Sequence, residues 1–117
     1  MNDFEWSKAE KQAARRAFEL GLKRECLAIR GKLEQMLRAS EDFRQIWRIH
    51  DYLSEQRRAV DRKYDYRYSR LISVFGRLLM EGWVTEADLG GLAEDKLQRI
   101  KGWASFMAQS EGWRPAS

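Results

Sequence analysis

The chain has 117 residues, of which 44% are hydrophobic and 34% are charged, and its formal net charge at pH 7 is +4. A chain of this size forms one domain with a modest core, and this composition argues against a disordered protein. No apolar run approaches the ~18 residues of a membrane span, and residues 1–6 show no secretory signal, so the sequence predicts a cytoplasmic protein that does not insert into a membrane. One cysteine, Cys26, and one histidine, His50, exclude an internal disulfide and argue against a metal site.

The first predicted helix is long. Ser7 and Glu10 have the spacing of a capping box at its start. Ser40, followed by two acidic residues, is interpreted as the N-cap of the second helix, so the first ends near Arg38. A helix over Ser7–Arg38 is about 48 Å long at 1.5 Å per residue, whereas a compact chain of this length is only ~35 Å across. The sequence therefore predicts a protruding stalk.

An apolar seam with spacings of three and four runs along this helix. A hairpin with the second helix would cover only one side of the seam, so the sequence predicts a two-fold homodimer. The residues assigned to the dimer interface are Phe18, Leu22, Ile29, Leu33, Met36 and, from the second helix, Trp47.

The second helix lies within residues 43–68 and contains most of the unusual side chains. Residues three and four apart are neighbours on a helix, which predicts one polar and aromatic stripe formed by Trp47, His50, Asp51, Ser54, Arg57, Arg58 and Asp61. An apolar stripe lies beside it, so the helix is amphipathic and has a second face suited to recognition. Considered by itself, such a stripe is most typical of a buried hydrogen-bonded network or a subunit interface.

The remaining chain predicts a helical head. An apolar helix begins near Leu71 and ends at Gly82. A short helix begins at Thr85 with another capping pattern, and the last helix spans Leu92 to about Met107. No segment alternates with period two, so the predicted fold class is all-α. The single domain then consists of long helices for the stalk and dimer interface (7–64), a helical head (65–108) and a flexible tail (109–117).

The central motif resembles a known family. The run from Trp47 to Ser54, the pair Arg57 and Arg58, Asp61, and the run from Lys63 to Ser69 resemble the signature of the fluorescence recovery protein family of cyanobacteria. Matching segments also occur at residues 5–7 and 81–83. The resemblance implies an all-helical homodimer with a long stalk and a C-terminal head, and no cofactor, because the carotenoid belongs to the partner.

The resemblance also implies a function. Family members bind the photoactivated red form of the orange carotenoid protein, accelerate its return to the orange form and detach it from the phycobilisome. Positions that match the family's functional residues are Trp47, His50, Asp51 and Arg57. In the head, Ser73 and Arg99 occupy positions where light-harvesting members have an aromatic residue and a lysine. Because relatives also occur in bacteria without orange carotenoid protein, the alternative is a dimeric interaction module with an unknown protein partner.

Two other function classes are weaker. His50 and Asp51 could form an acid–base pair, but consecutive helical residues point about 100° apart and no nucleophile is placed beside them, so we predict that the protein is not an enzyme. The sequence pI near 9.4 permits nucleic-acid binding, and the short helices around Thr85 could pass for a helix-turn-helix. Glu86 and Asp88 would oppose a phosphate backbone, so we predict no nucleic-acid partner.

Overall fold

The computed structural model of the protein describes residues 5–112 and confirms an all-α fold with a stalk and a head. Its elements are α1 (Lys8–Ala39), α2 (Gln45–Lys63), α3 (Leu71–Glu81), one turn of 3₁₀ helix (Ala87–Leu89) and α4 (Glu94–Glu111). No β-strand occurs in this range. The molecule measures 57 × 29 × 24 Å and is therefore elongated. None of these helices is long and apolar enough to cross a membrane.

The predicted start of α1 is confirmed by a complete capping box. The Ser7 hydroxyl accepts from the backbone N–H of Glu10, and the Glu10 carboxylate accepts from the N–H of Ser7. The N-terminal half of α1 packs on the head, where a Cβ added at Gly21 would lie 3.1 Å from Val84 Cγ1 and 3.2 Å from Leu78 Cδ1. Gly21 therefore permits a close approach between α1 and the head. The C-terminal half of α1 continues beside α2 as the stalk.

The prediction that Ser40 caps the second helix is wrong. Ser40 has an extended backbone at the end of α1, and its hydroxyl accepts from the N–H of Asp42. The Asp42 carboxylate in turn accepts from the N–H of Arg44, and α2 begins only at Gln45. Each side chain bonds the backbone two residues ahead, which stabilises a turn instead of a helix N-terminus.

The head forms its core between α3, α4 and the start of α1. The largest fully buried side chains are Phe75, Leu71, Leu78, Leu89, Ile100 and Val84. α3 ends where predicted, with Gly82 in the left-handed conformation at φ 85°. The short helix also has its predicted cap, since Thr85 and Asp88 each accept from the backbone N–H of the other.

The predicted bounds of the last helix are wrong at both ends. α4 begins at Glu94 instead of Leu92, and it continues to Glu111, so residues 109–111 of the predicted tail are helical. The extra turn is held by Met107, which is buried near Gly76, and by Arg77, whose guanidinium donates to both carboxylate oxygens of Glu111 at 2.8 and 2.6 Å. Residues 113–117 of that tail lie outside the described residues.

Candidate protein-interaction surfaces

The four functional residues predicted on α2 form an exposed recognition stripe, made of Trp47, His50, Asp51 and Arg57. Trp47 is 66% exposed to solvent. Arg57 donates to Asp61 at 3.1 Å across one helical turn, and both side chains are mostly in solvent. Exposed ion pairs of this kind contribute little to stability, so the Arg57–Asp61 pair does little to hold the fold of the single chain.

The expectation that His50 and Asp51 point away from each other is wrong. His50 Nδ1 lies 3.3 Å from Asp51 Oδ1, although consecutive positions on a helix point in different directions. Both side chains are exposed and can bend across that gap. Within residues 5–112 the imidazole has no hydrogen bond to a hydroxyl or thiol, so the pair has no activated nucleophile beside it.

The residues assigned to the dimer interface fall into three environments, which are buried, half-buried and exposed. Phe18 is buried in the head core, where its ring meets the edges of Tyr64 and Tyr66. The other members of the seam, which are Leu22, Ile29, Leu33 and Met36, are half-buried along α1. Apolar side chains also remain exposed near the far end of the stalk at Leu37, Ile46 and Trp47. The stalk thus has apolar surface left over after α1 and α2 have packed together.

The structure brings the two predicted head residues, Ser73 and Arg99, to one groove. This head groove has a volume of about 710 Å³ and is lined by Ser69, Arg70, Ile72, Ser73, Arg99, Gly102, Trp103 and Phe106. The Ser73 hydroxyl donates to the carbonyl of Arg70 at 3.0 Å. Phe106 was not among the predicted site residues, although its position one helical turn after Trp103 is a signal that the sequence does contain.

A buried polar network joins the stalk to the head. The Lys63 ammonium lies 2.7 Å from Glu25 and 2.6 Å from Glu81. Tyr64 donates to the same Glu25 carboxylate at 2.9 Å, and the Trp83 indole donates to Glu81 at 3.0 Å. The network connects α1, the end of α2 and the end of α3. Sequence reasoning missed it because Glu25 and Lys63 are 38 positions apart.

The buried polar network also changes the acidity of the Tyr64 hydroxyl. Burial raises the pKa of the Tyr64 hydroxyl, and the hydrogen bond to the Glu25 carboxylate raises that pKa further. Tyr64 therefore stays protonated and remains a hydrogen-bond donor throughout the physiological pH range.

Comparison with known proteins decides the family. A family model described as the photoprotection regulator fluorescence recovery protein matches residues 6–104. The chain is also 37% identical over 99 residues to the fluorescence recovery protein of Synechocystis sp., an alignment that covers 85% of this chain and 91% of that protein. The chain belongs to the fluorescence recovery protein family.

Solved structures agree with this assignment to the fluorescence recovery protein family. The structure from Synechocystis sp. PCC 6803 is 37% identical with a TM-score of 0.80, and that from Fremyella diplosiphon is 36% identical with a TM-score of 0.79. Each comparison covers 86% of this chain and 99% of the other. The recognition stripe and most of the head groove lie within the matched residues, whereas Phe106 and Glu111 lie beyond residue 104.

Proposed function

We propose that this protein is a homodimeric regulator of photoprotection that binds the photoactivated orange carotenoid protein, accelerates its red-to-orange relaxation and detaches it from the phycobilisome. The observation that supports this proposal is the family match over residues 6–104, which includes all four residues of the recognition stripe. The proposed site of action is the cytoplasm. If the partner experiment described below fails, we propose instead that the protein is a dimeric interaction module that binds another protein.

The proposed mechanism is conformational catalysis. The protein binds a separated or intermediate arrangement of its partner and lowers the barrier to reclosing. No covalent bond changes in this process, so the protein is not proposed to be an enzyme, and it needs no cofactor of its own. The recognition stripe offers residue types that contribute strongly to protein interfaces, an exposed tryptophan and an arginine.

The exposed apolar surface of the stalk supports the homodimer. Leu37, Ile46 and Trp47 are each more than half exposed, and the adjoining seam on α1 is only half-buried. Groups of exposed apolar side chains mark interaction sites on soluble proteins. A second copy related by a two-fold axis would cover it with the same surface.

Leu33→Glu is expected to convert the dimer into a monomer. The substitution places a carboxylate in the seam, where burial of an unpaired charge opposes association by several kcal/mol. Light scattering should give twice the 13.9 kDa chain mass for the parent at tens of micromolar and a single chain mass for the variant. Gln35→Glu adds the same charge at an exposed position outside the seam and should leave the dimer intact. A monomeric parent at this concentration would refute the dimer.

The partner experiment follows the dark decay of photoactivated orange carotenoid protein by its absorbance. Substoichiometric amounts of this protein should accelerate the decay, because a helper that stabilises the transition state is released and reused. Ser73→Phe should strengthen the effect by roughly thirtyfold in affinity, since an aromatic anchor in an interface contributes about 2 kcal/mol.

The control for this substitution is Ser105→Phe, which adds the same ring on α4 at an exposed position that does not line the head groove. It should leave the decay rate at the parent value. If neither the parent nor Ser73→Phe binds orange carotenoid protein or changes its decay, the photoprotective proposal is wrong and the partner is another protein.

A further inference from the structure

A cleft lies where the stalk meets the head, apart from the recognition stripe. This junction cleft has a volume of about 700 Å³, and its walls come from the end of α2, the segment between α2 and α3, α3 itself and one side chain of α4. Cavities of about 300–1,000 Å³ are typical of sites for small molecules. The lining residues are Ala59, Arg62, Lys63, Asp65, Arg67, Arg70, Ser73, Val74, Arg77, Glu81 and Met107.

Five of the lining residues are basic, and two of the five have no ion pair. The paired ones are Lys63 with Glu25 and Glu81, Arg67 with Asp65, and Arg77 with Glu81 and Glu111. Among residues 5–112, the side chains of Arg62 and Arg70 form no hydrogen bond or ion pair. Their guanidinium groups therefore retain their donors for a ligand in the cleft.

Arg70 shares the field of a nearby carboxylate with a second arginine. Arg67 donates to both oxygens of Asp65. These hydrogen bonds and, to a smaller extent, the charge of Arg70 lower the pKa of the Asp65 carboxyl. Because two guanidinium groups act on one carboxylate, positive charge exceeds negative charge on this side of the cleft. Such an excess favours an anionic ligand.

The cleft also has an apolar part. Val74 of α3 and Met107 of α4 are buried side chains that line it, and Ala59 of α2 is half-buried. The Ser73 hydroxyl is bonded to the carbonyl of Arg70. A ligand that complements the whole lining has an apolar body and one anionic group.

Two arginines in one cleft favour a phosphate group over a carboxylate. A guanidinium is a planar fork that binds two oxygens side by side, and Arg67 occupies both oxygens of Asp65 in this way. A phosphomonoester has three terminal oxygens and a charge of about −1.5 to −2 at pH 7. It can therefore accept hydrogen bonds from two guanidinium groups at once, whereas a carboxylate is filled by one.

We propose that the junction cleft binds a small phosphomonoester with an apolar or aromatic body, whose phosphate accepts hydrogen bonds from Arg62 and Arg70. Such a ligand connects the end of α2 to the start of α3, next to the buried network around Lys63. Binding at this cleft needs no partner protein, so it is independent of the proposed function.

Isothermal titration calorimetry of the full-length protein with phenyl phosphate tests the cleft. We expect saturable binding of one molecule per chain. Benzoate has the same ring with a carboxylate, and inorganic phosphate lacks the ring, so each should bind roughly tenfold more weakly. Phenyl phosphate should also raise the melting temperature, because it binds the folded chain.

Arg62→Met and Arg70→Met each remove one guanidinium group and should lower the affinity for phenyl phosphate roughly tenfold. Arg58→Met is the matched control, since it makes the same substitution at an exposed arginine one turn earlier on α2 that does not line the cleft. It should bind phenyl phosphate as the parent does. All three arginines are exposed, so thermal melts of the variants without ligand should coincide with the parent's.

Failure of the parent to bind phenyl phosphate at millimolar concentration would overturn the proposal. Equal affinity for benzoate or for inorganic phosphate would overturn it as well, and so would equal affinities of the Arg58, Arg62 and Arg70 variants. The titration contains no orange carotenoid protein, so its result is separable from that of the partner experiment.

Discussion

Lys63→Met is expected to lower the free energy of unfolding by about 3–5 kcal/mol, because it leaves the buried Glu25 carboxylate without its cation and leaves Glu81 with only the Arg77 guanidinium at 3.5 Å. The side chains of Lys63, Glu25 and Glu81 are only 14%, 8% and 15% exposed. In the parent, one ammonium lies between the two carboxylates and donates to both. In the variant those two charges repel each other in a site with little access to water.

Urea denaturation at pH 7 measures the loss. Arg30→Met is the control, because the Arg30–Glu34 pair joins side chains that are 73% and 47% exposed, and its removal should change stability by no more than about 0.5 kcal/mol. Adding Glu25→Gln to Lys63→Met should restore part of the lost stability, since the uncompensated charge of Glu25 is then absent. Equal losses in Lys63→Met and the Arg30 control would contradict a buried network.

The network lies between the two candidate interaction surfaces. Lys63 is the last residue of α2, whose opposite end contains Trp47, and Glu81 is the last residue of α3, which contributes Ser73 to the head groove. A fixed junction between α2 and α3 therefore fixes the distance between the recognition stripe and the head groove. A partner that contacts both surfaces would meet them at one spacing.

Local signals explain what could be predicted from the sequence. The capping box at Ser7, the glycine at position 82 and the reciprocal cap at Thr85 each act within four residues, and each is found where the pattern predicts it. The capping pattern at Ser40 fails for an equally local reason, since serine and aspartate side chains cap turns as well as helices. A capping pattern in the sequence therefore indicates that backbone N–H groups are capped, but it does not distinguish the start of a helix from a turn.

Long-range packing explains what could not be predicted. Helical periodicity places Phe18 and Leu33 in one seam, yet Phe18 packs against Tyr64 and Tyr66 in the head while Leu33 lies on the stalk. A periodic pattern shows that a face is apolar, not what covers it. The resemblance indicated both Ser73 and Arg99, but only the packing of α3 on α4 shows that they share a groove with Phe106.

Glu10→Ala is the second substitution with a large expected effect, again about 3–5 kcal/mol of unfolding free energy. The Glu10 carboxylate accepts from the backbone N–H of Ala93 at 2.9 Å and from the Lys96 ammonium at 3.2 Å, besides closing the capping box of α1. The side chains of Lys96 and Glu10 are 6% and 11% exposed. The alanine variant would leave the ammonium buried without its counter-charge and the start of α4 without its link to α1.

The same carboxylate makes stability depend on pH. Burial by itself would raise the pKa of Glu10, but the N–H groups of Ser7 and Ala93 and the ammonium of Lys96 outweigh it and lower the pKa below its ordinary value. A carboxyl whose folded pKa is lowered stabilises the fold above its unfolded pKa, and this contribution is lost as the pH falls through the folded pKa. Stability should therefore decrease on acidification below the ordinary pKa of a glutamate.

Glu10→Gln tests this dependence, because it keeps the size of the side chain and removes the titration. The stability gap between the parent and Glu10→Gln should be large at about pH 7 and should shrink towards about pH 3, as measured by urea denaturation at both values. Glu94→Gln changes an exposed carboxylate that accepts a hydrogen bond from Gln98, and its gap from the parent should be small at both values. A Glu10→Gln gap of the same size at both pH values would show that the charge on Glu10 does not link α1 to α4.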